Sequence, residues 1–322
     1  MSPDTVRVAI VQQPSRVLDK DESLRRAVQH VADAAAEGAR IVAFPESWLS
    51  CYPAWFFGMA GWDDAVARSW YRLLVEDSIV IGAPDDFNDD LAPLRTAARE
   101  TGTTIVIGLN ERDGGFGGSL FNSQVTIASS GEVINVHRKL TPTHTERIIW
   151  GQGDAAGLQA VDADGVRIGG LICWEHFHPL ARHALHDQYE QIHIASWPDM
   201  SSQHETMSRS YAIEGRCFVV VAAQYLTEDD VPEELVDVFR TGLGNVDLES
   251  DVLFAGGSGV LAPDGTWLTE PVYGRATTII ADVPIKDTIA YKHDVDVAGH
   301  YSRSDVFELF IDTERRRSVT RV

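Results

Sequence analysis

The sequence predicts an α/β layered fold, on three observations. Short apolar, β-branched runs alternate with segments whose apolar residues recur at helical spacing, and this alternation continues through most of the chain. No linker rich in Pro, Gly or Ser divides the chain, and no internal period of roughly 20–50 residues appears. A length of 322 residues with 44% hydrophobic content supplies one large core, so residues 1–322 are read as a single domain.

The elements follow in order. An apolar run at 6–11 is a strand, residues 22–37 carry Leu24, Val28, Val31 and Ala35 at helical spacing, and Gly38 stops that helix before a buried strand at 41–44. Helices are expected at 65–76 and 90–100, then a β-branched strand at 103–109. A glycine loop at 114–118 leads to a strand pair at 119–128 and 132–137, with 129–131 as the turn. Strand 166–172, helix 179–188, strand 192–196, helix 204–215 and strand 217–223 repeat the βαβ theme. The acidic run 228–234 reads as a solvated loop.

Composition narrows the function. Lys and Arg number 27 against 48 Asp and Glu, a net charge of −21 that repels phosphate backbones and anionic headgroups, so neither nucleic acid nor membrane is an expected partner. No signal-like segment or membrane-length apolar run is present, and the expected compartment is the cytoplasm. Cys51, Cys173 and Cys217 are an odd number with no CxxC spacing, which excludes a disulfide framework and a zinc ribbon.

Chemistry is sought where buried strands stop abruptly at polar residues. Strand 41–44 runs into Pro45-Glu46, strand 133–137 into Arg138-Lys139, and strand 166–172 into Cys173-Trp174-Glu175. Read singly, these are a cap, a surface charge and a core cysteine. Read together they supply a base, a cation and a nucleophile, and a thiol of pKa about 8.5 needs the first two to react at neutral pH. Other motifs fail: 114–118 lacks the GxGxxG order after a strand, and Gly256-Gly257-Ser258-Gly259 is not GxSxG.

Phe44-Pro45-Glu46, Arg138-Lys139-Leu140-Thr141-Pro142 and Cys173-Trp174-Glu175 resemble, in order and context, the nitrilase superfamily with its Glu-Lys-Cys triad. His137 through Thr143, Glu146-Arg147 and Trp150-Gly151-Gln152-Gly153-Asp154 are similar to its nitrilase branch. The later blocks Tyr211–Phe218, Gly256–Ser258 and Gly299–Arg303 extend the resemblance over nearly the whole chain. Departures are Cys51, where glycine is usual, expected to alter the pocket mouth, and Ser304, where proline is usual.

The resemblance implies a four-layer αββα sandwich and a catalytic set of Cys173 as nucleophile, Glu46 as general base, Lys139 as stabilising cation and Glu146 as second carboxylate. It implies hydrolysis of an aliphatic or arylaliphatic nitrile through a cysteine thioimidate and thioester, without metal or other cofactor, with an amidase or a cyanide-degrading enzyme as alternatives. Trp48, Tyr52, Trp174, His176 and Trp197 are the substrate-binding candidates; the first two belong to an aromatic cluster just after Glu46 that also holds Trp55, Phe56 and Phe57. A homo-oligomer, dimer or larger and in some relatives spiral, is implied as well. The segment from about 284 to 322, too short for its own core, is expected to pack on a neighbouring subunit.

Two readings of other classes compete. His176, His178, His183, His186 and His193 crowd one segment and raise a metal-dependent hydrolase, although no HExxH or comparable ligand spacing accompanies them. A non-catalytic assembly protein with Cys173 in its core is the other.

Overall fold

Alternation along each strand sends successive side chains to opposite faces, and in the central strands of this chain both faces are buried. The computed structural model describes residues 3–59, 61–82, 89–114, 117–244 and 250–315. Its strands and helices run β1 (Val6–Gln12), α1 (Lys20–Ala36), β2 (Ile41–Ala43), α2 (Ala65–Asp77), α3 (Ala92–Thr101), β3 (Thr104–Arg112), β4 (Leu120–Ile127) and β5 (Val133–Arg138). They continue with β6 (Val161–Ala163), β7 (Val166–Ile172), α4 (Pro179–His186), β8 (Ile192–Trp197), α5 (Ser202–Gly215), β9 (Phe218–Ala223) and β10 (Tyr225–Thr227). The last are α6 (Val236–Leu243), β11 (Val252–Leu261), β12 (Trp267–Tyr273), β13 (Thr277–Val283) and α7 (Asp287–Tyr291).

Two sheets form. One has the order β13-β1-β2-β3-β4-β5; the other has the order β10-β11-β9-β8-β7-β6, with β12 added on β11. In β1, Val6, Val8 and Ile10 enter the core between the sheets, where they meet Ile168, Ile192, Ile194 and Val220. The alternate residues Ala9 and Val11 face an outer core built with Leu24, Ala27 and Val31 of α1 and Leu94 and Ala98 of α3. On the second sheet, Leu171, Ala195, Val219 and Val221 face Ala184 and Leu185 of α4 and Tyr211 and Ala212 of α5. Helix, sheet, sheet, helix is therefore the layer order, the αββα sandwich that the resemblance implies.

Differences from the expected elements are local. The third helix starts at Ala92 with proline in its first turn and ends at Gly102, whose φ of 67° suits the left-handed cap. The strand expected at 217 starts at Phe218, because Arg216 caps α5 in the left-handed conformation. The acidic run is not a purely solvated loop: it forms short 3-10 turns at Glu228–Asp230 and Glu233–Leu235, and Asp230 lies 3.4 Å from Arg26. Of the glycine loop 114–118, residues 115 and 116 lie outside the described residues, as do 316–322 of the C-terminal segment. Within that segment Ile285 joins the inter-sheet core of its own chain, whereas Tyr301, Phe307 and Phe310 are exposed. Among the described residues no helix is long and apolar enough to cross a membrane.

Candidate active site

Three strand ends converge. Glu46 follows β2, and its segment lies so close to β3 that a Cβ on Gly108 would stand 2.3 Å from the Pro45 carbonyl oxygen and 2.5 Å from Ser47 N. Lys139 follows β5 and is fixed by its N–H to the Asn122 carbonyl at 2.8 Å. Cys173 follows β7 and opens a 3-10 turn, Cys173–Phe177, with φ 54°. A left-handed, non-glycine residue at a functional position stores strain that its surroundings must hold.

All four expected catalytic side chains are brought together and buried. A carboxylate oxygen of Glu46, one of Glu146 and the Cys173 sulfur lie within 4.8 Å of one another. Lys139 Nζ donates to Glu46 Oε1 at 3.1 Å and to Glu146 Oε1 and Oε2 at 3.0 and 2.8 Å. Asn122 donates to Glu46 Oε1 at 2.6 Å, which leaves Glu46 Oε2 buried without a partner. Glu146 also accepts from Tyr52 OH at 2.8 Å and from Thr143 N at 2.6 Å, so it caps its own turn while it faces the lysine.

Burial sets the proton affinities. It raises Glu46 to about 7, against the pull of Lys139 and with repulsion from Glu146. It pushes the Cys173 thiol well up, and Glu46 pushes in the same direction while Lys139 and the Trp174 N–H oppose. Burial works against the charge on Lys139, but Cys173 and the two carboxylates outweigh it and hold that pKa well above the usual value. The resting site is thus a neutral thiol beside a fixed ammonium and a carboxylate poised near neutrality, the arrangement general-base activation needs.

Glu175 ties the Cys173 turn to the segment after Lys139. It accepts from Ile172 N at 2.8 Å, Leu140 N at 2.6 Å and His137 Nε2 at 3.0 Å. Although buried, it is held below the usual carboxylate range by His137 and these N–H groups. Gln224, which donates to the Glu46 carbonyl, restrains Glu46 in the same way. Sequence reasoning missed Asn122 and Gln224 as site residues. The usable signal for Asn122 was Asn122-Ser123-Gln124, a polar stretch inside a buried strand.

The substrate-binding candidates divide. Tyr52 reaches the site through Glu146 and packs edge-on against Phe57, Trp150 and Phe254. Trp174 is 42% exposed, stacks on Phe177 and, with Leu140, Pro142, Arg147 and Glu175, lines a cavity of about 300 Å³. Trp48 instead packs edge-on against Phe44 in the outer core and donates to the Gln13 carbonyl. Trp197 is fully buried between His176 and His204, and His176 uses both nitrogens on protein partners, Cys173 O and His193. Cys51 is buried with φ 66°, a backbone conformation that favours glycine, and its sulfur lies 3.7 Å from Gln224.

The histidine segment is not arranged as a ligand set: His176 and His193 bond each other, and His178 accepts from Ala181 N at the start of α4. Among the described residues the one gathering of potential ligand atoms is Glu46, Glu146 and Cys173, and the Lys139 ammonium already bonds both of its carboxylates.

The chain is similar to known proteins over nearly its whole length. An aliphatic nitrilase of Rhodococcus rhodochrous is 35% identical over 98% of this chain and 81% of its own length. An arylacetonitrilase of Aspergillus niger is 32% identical over 98% of this chain and 94% of its own. A carbon-nitrogen hydrolase of Helicobacter pylori superposes with a TM-score of 0.69 at 15% identity, covering 94% of this chain and 97% of that one. The carbon-nitrogen hydrolase family description matches residues 7–293, and with a match running from the first strand to just beyond the last helix, this chain belongs to that family.

Proposed function

We propose that the protein is a nitrilase that hydrolyses an aliphatic or arylaliphatic nitrile to its carboxylic acid and ammonia. The observation that carries the reading is the buried convergence of Lys139, Glu146 and an unpartnered Glu46 oxygen on Cys173. Glu46 takes the thiol proton as sulfur adds to the nitrile carbon. Lys139 and the Trp174 N–H stabilise the charge growing on nitrogen, and protonation of that nitrogen gives a thioimidate. Glu146, bonded to Tyr52 and Lys139, orients the water that adds next. The tetrahedral adduct expels ammonia to leave a thioester, and a second water releases the acid and restores the thiol. If the thiolate leaves in place of ammonia, the product is the amide.

The aromatic rings of Phe57, Trp150 and Phe254 packed on Tyr52, whose hydroxyl bonds Glu146, support a substrate with an apolar body. Three free, buried cysteines support a reducing compartment, the cytoplasm. Exposed Tyr301, Phe307 and Phe310 support docking of the C-terminal segment on a neighbouring subunit in a homo-oligomer. Ammonia release from aliphatic, arylaceto and aromatic nitriles, cyanide and the matching amides tests the activity. The expected result is turnover of aliphatic or arylaceto nitriles; turnover of amides or cyanide alone would replace this reading with one of the two alternatives.

A further inference from the structure

Behind the nucleophile lies a buried polar chain that the hydrolytic steps do not use. His176 Nδ1 is 2.7 Å from the Cys173 carbonyl oxygen, His176 Nε2 is 3.0 Å from His193 Nε2, and His193 Nδ1 is 3.0 Å from Glu190 Oε2. Tyr211 OH donates to the other Glu190 oxygen, near which His186 Nδ1 stands at 3.5 Å. His176, His193 and Glu190 are at most 2% exposed. The strand makes room for the chain: a Cβ at Gly169 would stand 2.0 Å from Glu190 Oε2.

The chain ends on one peptide group. Its C=O, from Cys173, accepts from His176; its N–H, from Trp174, is the backbone donor that pulls the thiol pKa down. A donor on the carbonyl of an amide makes the N–H of the same amide a stronger donor, and linked hydrogen bonds reinforce one another. We propose that Glu190, His193 and His176 form a positioning relay that holds and polarises the Cys173–Trp174 peptide. The Trp174 N–H thereby donates more strongly to the sulfur and to the nitrogen of the substrate adduct. The proposal rests on Cys173 being the nucleophile.

Proton counting gives the relay a signature. A carbonyl and an ionised carboxylate only accept, so the three linked bonds need three protons, while two neutral imidazoles bring two. With Nδ1–H of His176 on the carbonyl and Nδ1–H of His193 on Glu190, the Nε2···Nε2 contact is the one left short of a proton. Burial lowers the His193 pKa, Glu190 opposes that, and His186 and His137 add to the lowering. His176 is lowered further by burial, His193 and Arg182. An amide at position 190 removes the deficit, since its NH2 donates to His193 Nδ1 while its oxygen accepts from Tyr211.

The test compares Glu190→Leu, Glu190→Gln and His193→Phe with the wild type, reading kcat, KM and the rate of Cys173 alkylation by iodoacetamide. Glu190→Leu and His193→Phe are expected to lose about tenfold or more in kcat with KM within about twofold, and to slow alkylation in parallel. Glu190→Gln recovers most of both rates. Equal losses in Glu190→Gln and Glu190→Leu, or no loss in Glu190→Leu, overturn the relay. Should His193→Phe fail to fold, the Glu190 pair decides alone. Cys173→Ala run alongside separates the premises: if it is inactive while Glu190→Leu is fully active, the relay alone fails, and if it is active the nucleophile reading fails.

Discussion

At the scale of single residues, the proposed chemistry depends on one carboxylate, Glu46, made basic by burial and held in place by Asn122 and Lys139. As the proposed base Glu46 must be ionised to accept the thiol proton, and its pKa is raised to about 7, so kcat/KM is expected to fall as the pH drops through that value. Asn122 bonds the charged form and lowers this pKa. Asn122→Leu therefore moves the acid limb of the profile to higher pH, which ammonia release measured across pH reads directly; a limb that stays in place or moves down counts against Glu46 as the base. A separate task is proposed for Glu146. Glu146→Gln keeps the shape and removes the charge, so sulfur still adds to the nitrile at a reduced rate while hydrolysis stalls, and intact-protein mass spectrometry finds an adduct on Cys173. Wild-type turnover in that variant would return Glu146 to a turn-capping role. Glu46, Lys139 and Cys173 were legible as polar residues ending buried strands. Glu146 was legible through family resemblance alone, since its local sequence suits a surface charge or a cap equally well, and the structure has it capping Thr143 as well as bonding Lys139.

Elements deliver these residues through close backbone packing. Glycine at 108 lets the Glu46 segment lie against β3, where a Cβ would meet backbone atoms that cannot move aside. Gly108→Ala is accordingly expected to destabilise the protein by about 1–3 kcal/mol and to lower activity by displacing Glu46. Denaturant unfolding with an unchanged midpoint would show that the approach is looser than described. The parallel strands and the helices beside them were readable because both faces of each strand are buried and local periodicity is strong. The strands β10 to β13 were not: β12 is half-exposed and contains Pro271, and pairing of β11 to β12 shifts register repeatedly. Long-range pairing was equally hidden. β13 lies antiparallel to β1, with Arg7 and Asp282 bonded across 275 residues of sequence, and nothing local to either strand encodes that partner.

The whole molecule brings side chains from both sheets into one water-poor site, with Lys139 and Glu46 in contact across 93 residues of chain. It also leaves a C-terminal stretch with exposed aromatics, including Phe307 and Phe310 at 78% and 82% exposure. Light scattering at micromolar concentration is expected to give a mass of at least twice the chain, and a truncation after residue 298 is expected to reduce it; a monomer mass for the full chain contradicts the proposed oligomer. The central claim is that this assembled site acts through a covalent bond to Cys173. Its most direct test is ammonia release from a nitrile that the wild type hydrolyses, measured on Cys173→Ala protein whose thermal unfolding matches the wild type. The account predicts no detectable turnover in that variant, with activity retained in Cys51→Ala and Cys217→Ala; a substantial rate in Cys173→Ala would contradict it.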